Sequence, residues 1–406
     1  MKAYERFIEY AKIHTASVEG VEATPTAERQ FDLTHYLEKE MKEIGLSGVY
    51  SDEHAYVYGF LPASEGLEDR PCVGFISHID TVPDFSGENV KPVLVENYDG
   101  GDIVLGSSGR VLSVEQFPHL ASYKGQTIIT TDGTTVLGAD DKAGIAEIMT
   151  ACEQIINESI PHGPIAVCFN PDEEVGHGAA LLDIERFGAD FAFTVDGGEP
   201  GELSFETFNA AAAVFEISGF NIHPGSAKNK MINASLVAME INSMLPSCDT
   251  PANTEGYQGF FHLTDMEGTV ESAKLCYIVR DHDAVLFEGR KKSLELIAEL
   301  VNAKYGEGTV KLTLVEQYRN MVEVLKDKAE VIDIARKAIT DAGLEVKVEA
   351  VRGGTDGSQL SFRGLPCPNL GTGGYCFHGP YEHIPVINLD LCTEVVKNIV
   401  KEVAGA

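Results

Sequence analysis

Apolar positions change their period several times along the chain. Over residues 26–45, Phe31, Leu37, Met41 and Ile44 line one helical face, with Pro25 placed to enter the first turn behind Thr24. Residues 72–79 form an apolar run broken only by Gly74 and Ser77, the mark of a strand buried on both faces. A helical period returns over 142–157 through Ile145, Ile148, Met149, Cys152, Ile155 and Ile156. A strand at 165–169, a helix at 179–187 and a strand at 191–195 follow. This alternation predicts parallel strands joined by crossover helices.

Between 208 and 317 the pattern differs. Strands at 210–218, 258–264, 272–280 and 309–316, with helices at 233–245 and 284–304, spell βαββαβ, the split arrangement of a ferredoxin-like sandwich. A helix at 327–342, a strand at 345–351, the Gly-rich segment 353–357 and a helix at 387–403 restore the α/β alternation. The expected organisation is an α/β domain in two parts, 1–207 and 318–406, with an inserted α+β domain at 208–317. A length of 406 residues, long for one core, agrees with two domains.

Composition narrows the function classes. A formal charge of −32 argues against nucleic acid and anionic membrane as partners, since both need a basic face, and part of it would be offset by bound cations. No apolar run approaches the roughly 18 residues of a membrane span. The N-terminus enters an amphipathic helix without a signal-peptide core, so a cytoplasmic location is expected. The 8 cysteines form no C-x-x-C pair and read as reduced, mostly buried thiols.

The candidate chemistry lies beside the apolar runs: His78 and Asp80, Asp140-Asp141, Glu173-Glu174, Asp196 and His378. Strand exits at the open end of a parallel sheet are where such folds gather ligands. Positions i and i+2 of a strand share a face, so Asp80 can accept a hydrogen bond from the His78 nitrogen turned away from a metal. Adjacent acids at 140 and 141 repel unless a cation or a helix N-terminus stabilises them, and one carboxylate can bridge two ions. The flanking Gly138 and Gly144 let the backbone come close. Side chains of Glu173 and Glu174 diverge, so one can hold metal while the other takes a proton from the attacking water. No H-E-x-x-H, P-loop, G-x-G-x-x-G or G-x-S-x-G run occurs, which disfavours helical zinc proteases, nucleotide enzymes and serine hydrolases. His14, His35, His54, His119, His162, His177, His262 and His282 read as structural or surface residues.

Six runs carry a family resemblance: Ser77–Thr81, Gly138–Gly144, Pro171–Gly176, Val195–Gly198, His223–Gly225 and Arg352–Gly357. They resemble the co-catalytic di-zinc exopeptidases, a group that includes carnosinases, aminoacylases and succinyl-diaminopimelate desuccinylase. The last two runs point to its tripeptide aminopeptidases. The resemblance implies a zinc-exopeptidase-like α/β catalytic domain with the inserted ferredoxin-like domain as lid and dimerisation domain. It implies two Zn2+ per subunit, with Co2+ or Mn2+ as substitutes: His78, Asp140 and Asp196 on one, Asp140, Glu174 and His378 on the other. By the same likeness Asp80 orients His78, Glu173 is the general base, and Asp140-Asp141 is a cis peptide. His223 would polarise the scissile carbonyl, in its own or a partner subunit's site. Arg280 would bind the substrate carboxylate, as its planar fork suits, against the alternative of a salt bridge to Asp281 or Asp283. Substrates would be short peptides with a free N-terminus, tripeptides first. A related dipeptidase, carboxypeptidase or N-deacylase uses the same metals, and a homodimer is expected.

Overall fold

The structure is a computed structural model that describes residues 1–106 and 108–405. Contacts divide it into two compact units: Met1–Phe205, Val324–Glu349 and Thr355–Ala406 form the first, Glu206–Glu323 and Ala350–Gly354 the second.

The first unit is built on an eight-stranded sheet. Its order is Ser47–Ser51, Val57–Leu61, Ile165–Asn170, Val73–His78, Phe191–Gly197, Asn369–Gly371, Glu202–Ser204, Lys347–Val348. The four strands from Ile165–Asn170 to Asn369–Gly371 pair in parallel, and antiparallel pairs flank them on both sides, so the sheet is mixed rather than purely parallel. Alternate residues feed two cores. Val73, Phe75, Val167, Phe169 and Phe193 pack under the helices Ala3–Ala11, Ala139–Glu158, Ala329–Asp341 and Val386–Ala404. On the opposite face Ile76, Ala166, Cys168 and Ala192 meet Phe187 and Leu360. Burial of both faces explains the near-continuous apolar runs of these strands. Gly74 belongs to this packing, because a Cβ there would run into the ring of Phe187.

Local elements depart from the sequence expectation where turn chemistry intervenes. The expected helix at 26–45 begins at Gln30, and the Thr24–Pro25 bond is cis, so Pro25 does not open it. The expected helix at 179–187 shrinks to Ile184–Phe187, capped by Asp183, whose carboxylate accepts the Arg186 N–H at 3.0 Å. Of the expected 345–351 strand only Lys347–Val348 joins the sheet, and Val351 makes an isolated parallel bridge to Thr207. A three-stranded sheet of Val93–Val95, Ile128–Thr130 and His383–Pro385, and a hairpin of Ile103–Leu105 with Arg110–Leu112, went unread. These strands have only three residues each, too short to show a period.

The second unit holds a four-stranded antiparallel sheet in the order Phe260–Gly268, Ser272–Asp281, Asn209–Ser218, Val310–Tyr318. Helices Ala234–Ser243 and Ala284–Tyr305 cover one face over a core of Phe215, Leu275, Ile241 and Leu294, giving the ferredoxin-like βαββαβ sandwich.

One buried charge network fixes the helices behind the candidate site. Arg6 is 1% exposed; its Nε donates to Glu40 at 2.8 Å, one Nη to Thr150 at 3.0 Å, and the other pairs with Glu153 at 3.0 Å. Tyr10 donates to the same Glu40 at 2.6 Å. Thr150 and Glu153 lie on the helix whose N-terminus carries Asp140. Arg6→Ala leaves the Glu40 carboxylate buried without its cation and is expected to cost about 3–5 kcal/mol. The check is the urea midpoint of the transition assigned to the first unit, against the unchanged midpoint of the second.

Candidate metal centre

Four of the five proposed ligands leave the carboxyl ends of the central parallel strands. His78 ends Val73–His78, Glu174 follows Ile165–Asn170, Asp196 is the penultimate residue of strand Phe191–Gly197, and His378 follows Asn369–Gly371. This is the side on which open α/β sheets bind ligands. Asp140 arrives differently. It follows a strand of the small sheet, not of the main one, and enters from the N-terminus of helix Ala139–Glu158 through a cis Asp140–Asp141 peptide.

Asp140 is the centre of the geometry. Its Oδ1 lies 2.9 Å from His78 Nε2 and its Oδ2 3.0 Å from His378 Nε2. Around His78 Nε2 stands Asp196 Oδ1 at 3.6 Å, and around His378 Nε2 stands Glu174 Oε2 at 3.2 Å. Two triads of donors result, sharing one carboxylate. His78 is buried while the His378 ring is half exposed.

Asp80, with no exposed side-chain surface, orders two of these exits together. The His78 Nδ1 lies 3.0 Å from the Asp80 carbonyl and 3.3 Å from its Oδ1, two acceptors that favour the tautomer with the proton on Nδ1 and the Nε2 lone pair facing the carboxylates. The same carboxylate accepts the N–H of Glu173 at 3.1 Å and of Glu174 at 3.3 Å. Asp172 secures the preceding turn by accepting the Thr26 N–H at 2.7 Å, the Thr26 hydroxyl at 2.6 Å and Gln30 Nε2 at 2.6 Å. Glu173 is thereby held beside the triads, and its carboxylate has no hydrogen-bond or ion-pair partner among the described residues.

Three further carboxylates brace the centre, and of these Asp356 and Glu382 had no sequence signal that marked them singly. Asp141 accepts from the Ser77 hydroxyl and from the His78 N–H at 3.2 Å, so it anchors the helix to the strand. Asp356, inside the quoted Arg352–Gly357 run, accepts Asn170 Nδ2 at 2.6 Å and keeps its other oxygen buried without a partner. Glu382, four residues after His378, accepts three main-chain N–H groups of the Leu137–Asp140 turn. Gly144 allows that helix to touch the Asp196 strand: a Cβ there would overlap the Val195 carbonyl.

The electrostatics fit divalent cations. Burial, then Asp196 and other acids, push the Glu173 carboxyl well above its usual range; burial and Asp140 push Glu174 up to about 7. Burial also raises Asp196 and, with Asp196 beside it, Asp141. Asp140 alone goes down, because hydrogen bonds from His378 and His78 outweigh its burial. Glu174 Oε1 is buried with no partner. Such a crowd of acids lacks positive charge, and two dications would supply it. Mixed carboxylate and imidazole donors suit zinc, manganese or cobalt. All eight cysteines are free, and none belongs to a candidate metal cluster among the described residues.

His119, expected as a structural or surface residue, stacks on His383 with their Nε2 atoms 2.9 Å apart. His282 bonds the Val351 carbonyl at 3.1 Å. In the second unit His223 is exposed and its Nδ1 accepts the Gly225 N–H at 3.2 Å. Arg280 forms no salt bridge with Asp281 or Asp283. Its guanidinium donates to the Ala211 and Val279 carbonyls at 3.2 and 3.0 Å and sits 5.3 Å from the Tyr318 ring, because Asp281 is taken by Arg290 and Asp283 caps the following helix.

Fold and site together define a dinuclear metallohydrolase, and residues 134–402 match the family described as Peptidase family M20/M25/M40. The chain belongs to that family and is a peptide hydrolase. Within it, the chain is 53% identical over 401 residues to Peptidase T of Clostridium perfringens (strain 13 / Type A), covering 98% of each chain. It is 50% identical over 402 residues to Peptidase T of Halothermothrix orenii, again covering 98% of each. Among solved structures it resembles a tripeptidase from Staphylococcus aureus (TM-score 0.78, 24% identity, covering 100% of this chain and 98% of that one). A dinuclear metal binding peptidase of the M20 family from Bacillus subtilis shares the fold at TM-score 0.65 and 14% identity, covering 99% of this chain and 98% of that one. These last two likenesses establish the fold.

The two triads predict that the metal-free chain takes up two divalent cations, and that His378→Ala takes up one. Isothermal titration with Zn2+, checked by elemental analysis after desalting, measures both.

Proposed function

We propose that this chain is a di-zinc aminopeptidase that removes the N-terminal residue from tripeptides, with Co2+ or Mn2+ able to replace zinc. The observation that carries the reading is Asp140, whose two oxygens face different imidazoles 2.9 and 3.0 Å away. His78, Asp140 and Asp196 would hold one cation, and Asp140, Glu174 and His378 the other. When bound, the pair supplies Lewis acidity at the scissile carbonyl and lowers the pKa of the attacking water. Glu173, with its carboxylate unengaged, accepts the proton of that water and returns it to the leaving amine. Asp80 keeps His78 in the ligating tautomer and holds the Glu173 main chain at a set distance from it. Roles for His223 and Arg280 in substrate binding belong to the same proposal and rest on the motif resemblance. Substrate class rests on the Peptidase T relatives, which match along nearly the whole chain. A cytoplasmic homodimer is part of this reading, supported by eight free thiols, which suit a reducing compartment, and by the resemblance. No helix among the described residues is long and apolar enough to cross a membrane.

The test compares a free tripeptide, its N-acetylated form and a dipeptide, before and after chelation. Rapid cleavage of the free tripeptide alone, lost on chelation and restored by Zn2+, is expected; cleavage of only the blocked peptide rejects the aminopeptidase assignment. Glu173→Gln is expected to bind both cations and to lose about 10²–10⁴ in kcat, measured by initial rates on enzyme of verified metal content.

A further inference from the structure

Glu382 is 1% exposed, and the proposed reaction does not use it. One of its oxygens accepts the N–H of Leu137 at 2.6 Å and of Gly138 at 2.9 Å, and the other accepts that of Asp140 at 3.1 Å. Three donors within four residues therefore converge on one side chain from the far end of the chain. A carboxylate, which only accepts, is the one side chain of this size that can satisfy all three. Lys142 is buried too; its Nζ donates to the Ile13 carbonyl at 2.7 Å and its charge interacts with both Glu382 and Asp80. Glu382 shares its segment with His378, which stands four residues earlier. The main chain of the bridging carboxylate is thus tied to the segment that delivers the second imidazole.

The same device appears on the opposite side of the centre, where Asp80 follows His78 by two residues and accepts the N–H groups of Glu173 and Glu174. Each imidazole-bearing segment reaches across with a buried carboxylate and grips the turn that bears a partner ligand. Asp80 joins His78 to Glu174, and Glu382 joins His378 to Asp140.

We infer that Glu382 is a positioning residue for the dinuclear centre, setting Asp140 Oδ2 against His378 Nε2 and thereby governing the cation held by Asp140, Glu174 and His378. The inference rests on the two-metal reading above. The other cation draws on Asp140 alone among the residues that Glu382 controls, so it depends on Glu382 less. Groups that orient metal ligands are typically worth 10–100-fold in affinity.

The experiment titrates Co2+ into metal-free wild type, Glu382→Gln and Glu382→Asp, following the visible absorption of the bound ion and the heat of binding, with thermal unfolding of each metal-free protein alongside. Glu382→Gln turns an amide N–H2 towards donors. It is expected to weaken the second Co2+ by about 10–100-fold, to leave the first near wild type, and to change the spectrum of the two-cobalt form, while the metal-free variant still unfolds in a cooperative transition at a lowered temperature. Glu382→Asp, which keeps the charge on a shorter arm, is expected to recover part of the loss. Wild-type affinity of Glu382→Gln for both ions, or equal weakening of both, overturns the inference. A wild-type chain that takes up fewer than two Co2+ overturns the two-metal reading and this inference with it. Should Glu382→Gln not fold, hydrogen exchange of metal-free wild type decides: slow exchange at Leu137, Gly138 and Asp140 supports the clamp, and exchange as fast as in exposed loops overturns it.

Discussion

Like charges held close together in a buried place constrain the rest of this molecule. Asp140, Asp141, Glu173, Glu174, Asp196 and Asp356 crowd around two imidazoles, and burial combined with mutual repulsion raises five of the six acids above their ordinary range. Removing a carboxylate from water is costly unless a cation or a set of donors compensates. The surrounding elements are arranged to supply that compensation. The Ser77 hydroxyl and the His78 N–H serve Asp141, the Asn170 amide serves Asp356, and the triads themselves are left with oxygens that face one another across the places cations would fill.

Rigidity follows from where the ligands are mounted. Three of the turns leave strands that are buried on both faces, and the helix bearing Asp140 is pressed onto the Asp196 strand at Gly144, where no side chain fits between them. Behind that helix, Arg6 joins three helices through buried ion pairs. A metal centre gains affinity when its donors are already in place, since less ordering remains to be done on binding. Asp172, Asp80 and Glu382 extend the same principle to the turns, each gripping main-chain N–H groups of a segment distant in sequence.

Much of this was legible in the residue order. Apolar runs at 72–79, 165–169 and 191–195 showed the buried strands, and the acids or histidine after each marked the exits. The βαββαβ pattern of the second unit was equally plain, because its strands alternate and its helices are long. Three-residue strands, the late start of the helix at Gln30 and the antiparallel flanks of the main sheet were not, since pairing partners leave no periodic trace in so few residues. Arg280 shows the same limit at the level of one side chain: its acidic neighbours in sequence proved to be engaged elsewhere.

By itself the amino-acid order determined which residues carry the chemistry, because metal ligation demands particular side chains and strand exits have a recognisable local pattern. Only the tertiary structure decided how they are shared and held. That Asp140 turns one oxygen to each imidazole, that Asp80 accepts the N–H groups of Glu173 and Glu174, and that Glu382 grips the turn before Asp140 are all contacts between segments far apart in the chain. Their geometry depends on packing and main-chain direction, which a one-dimensional pattern does not encode.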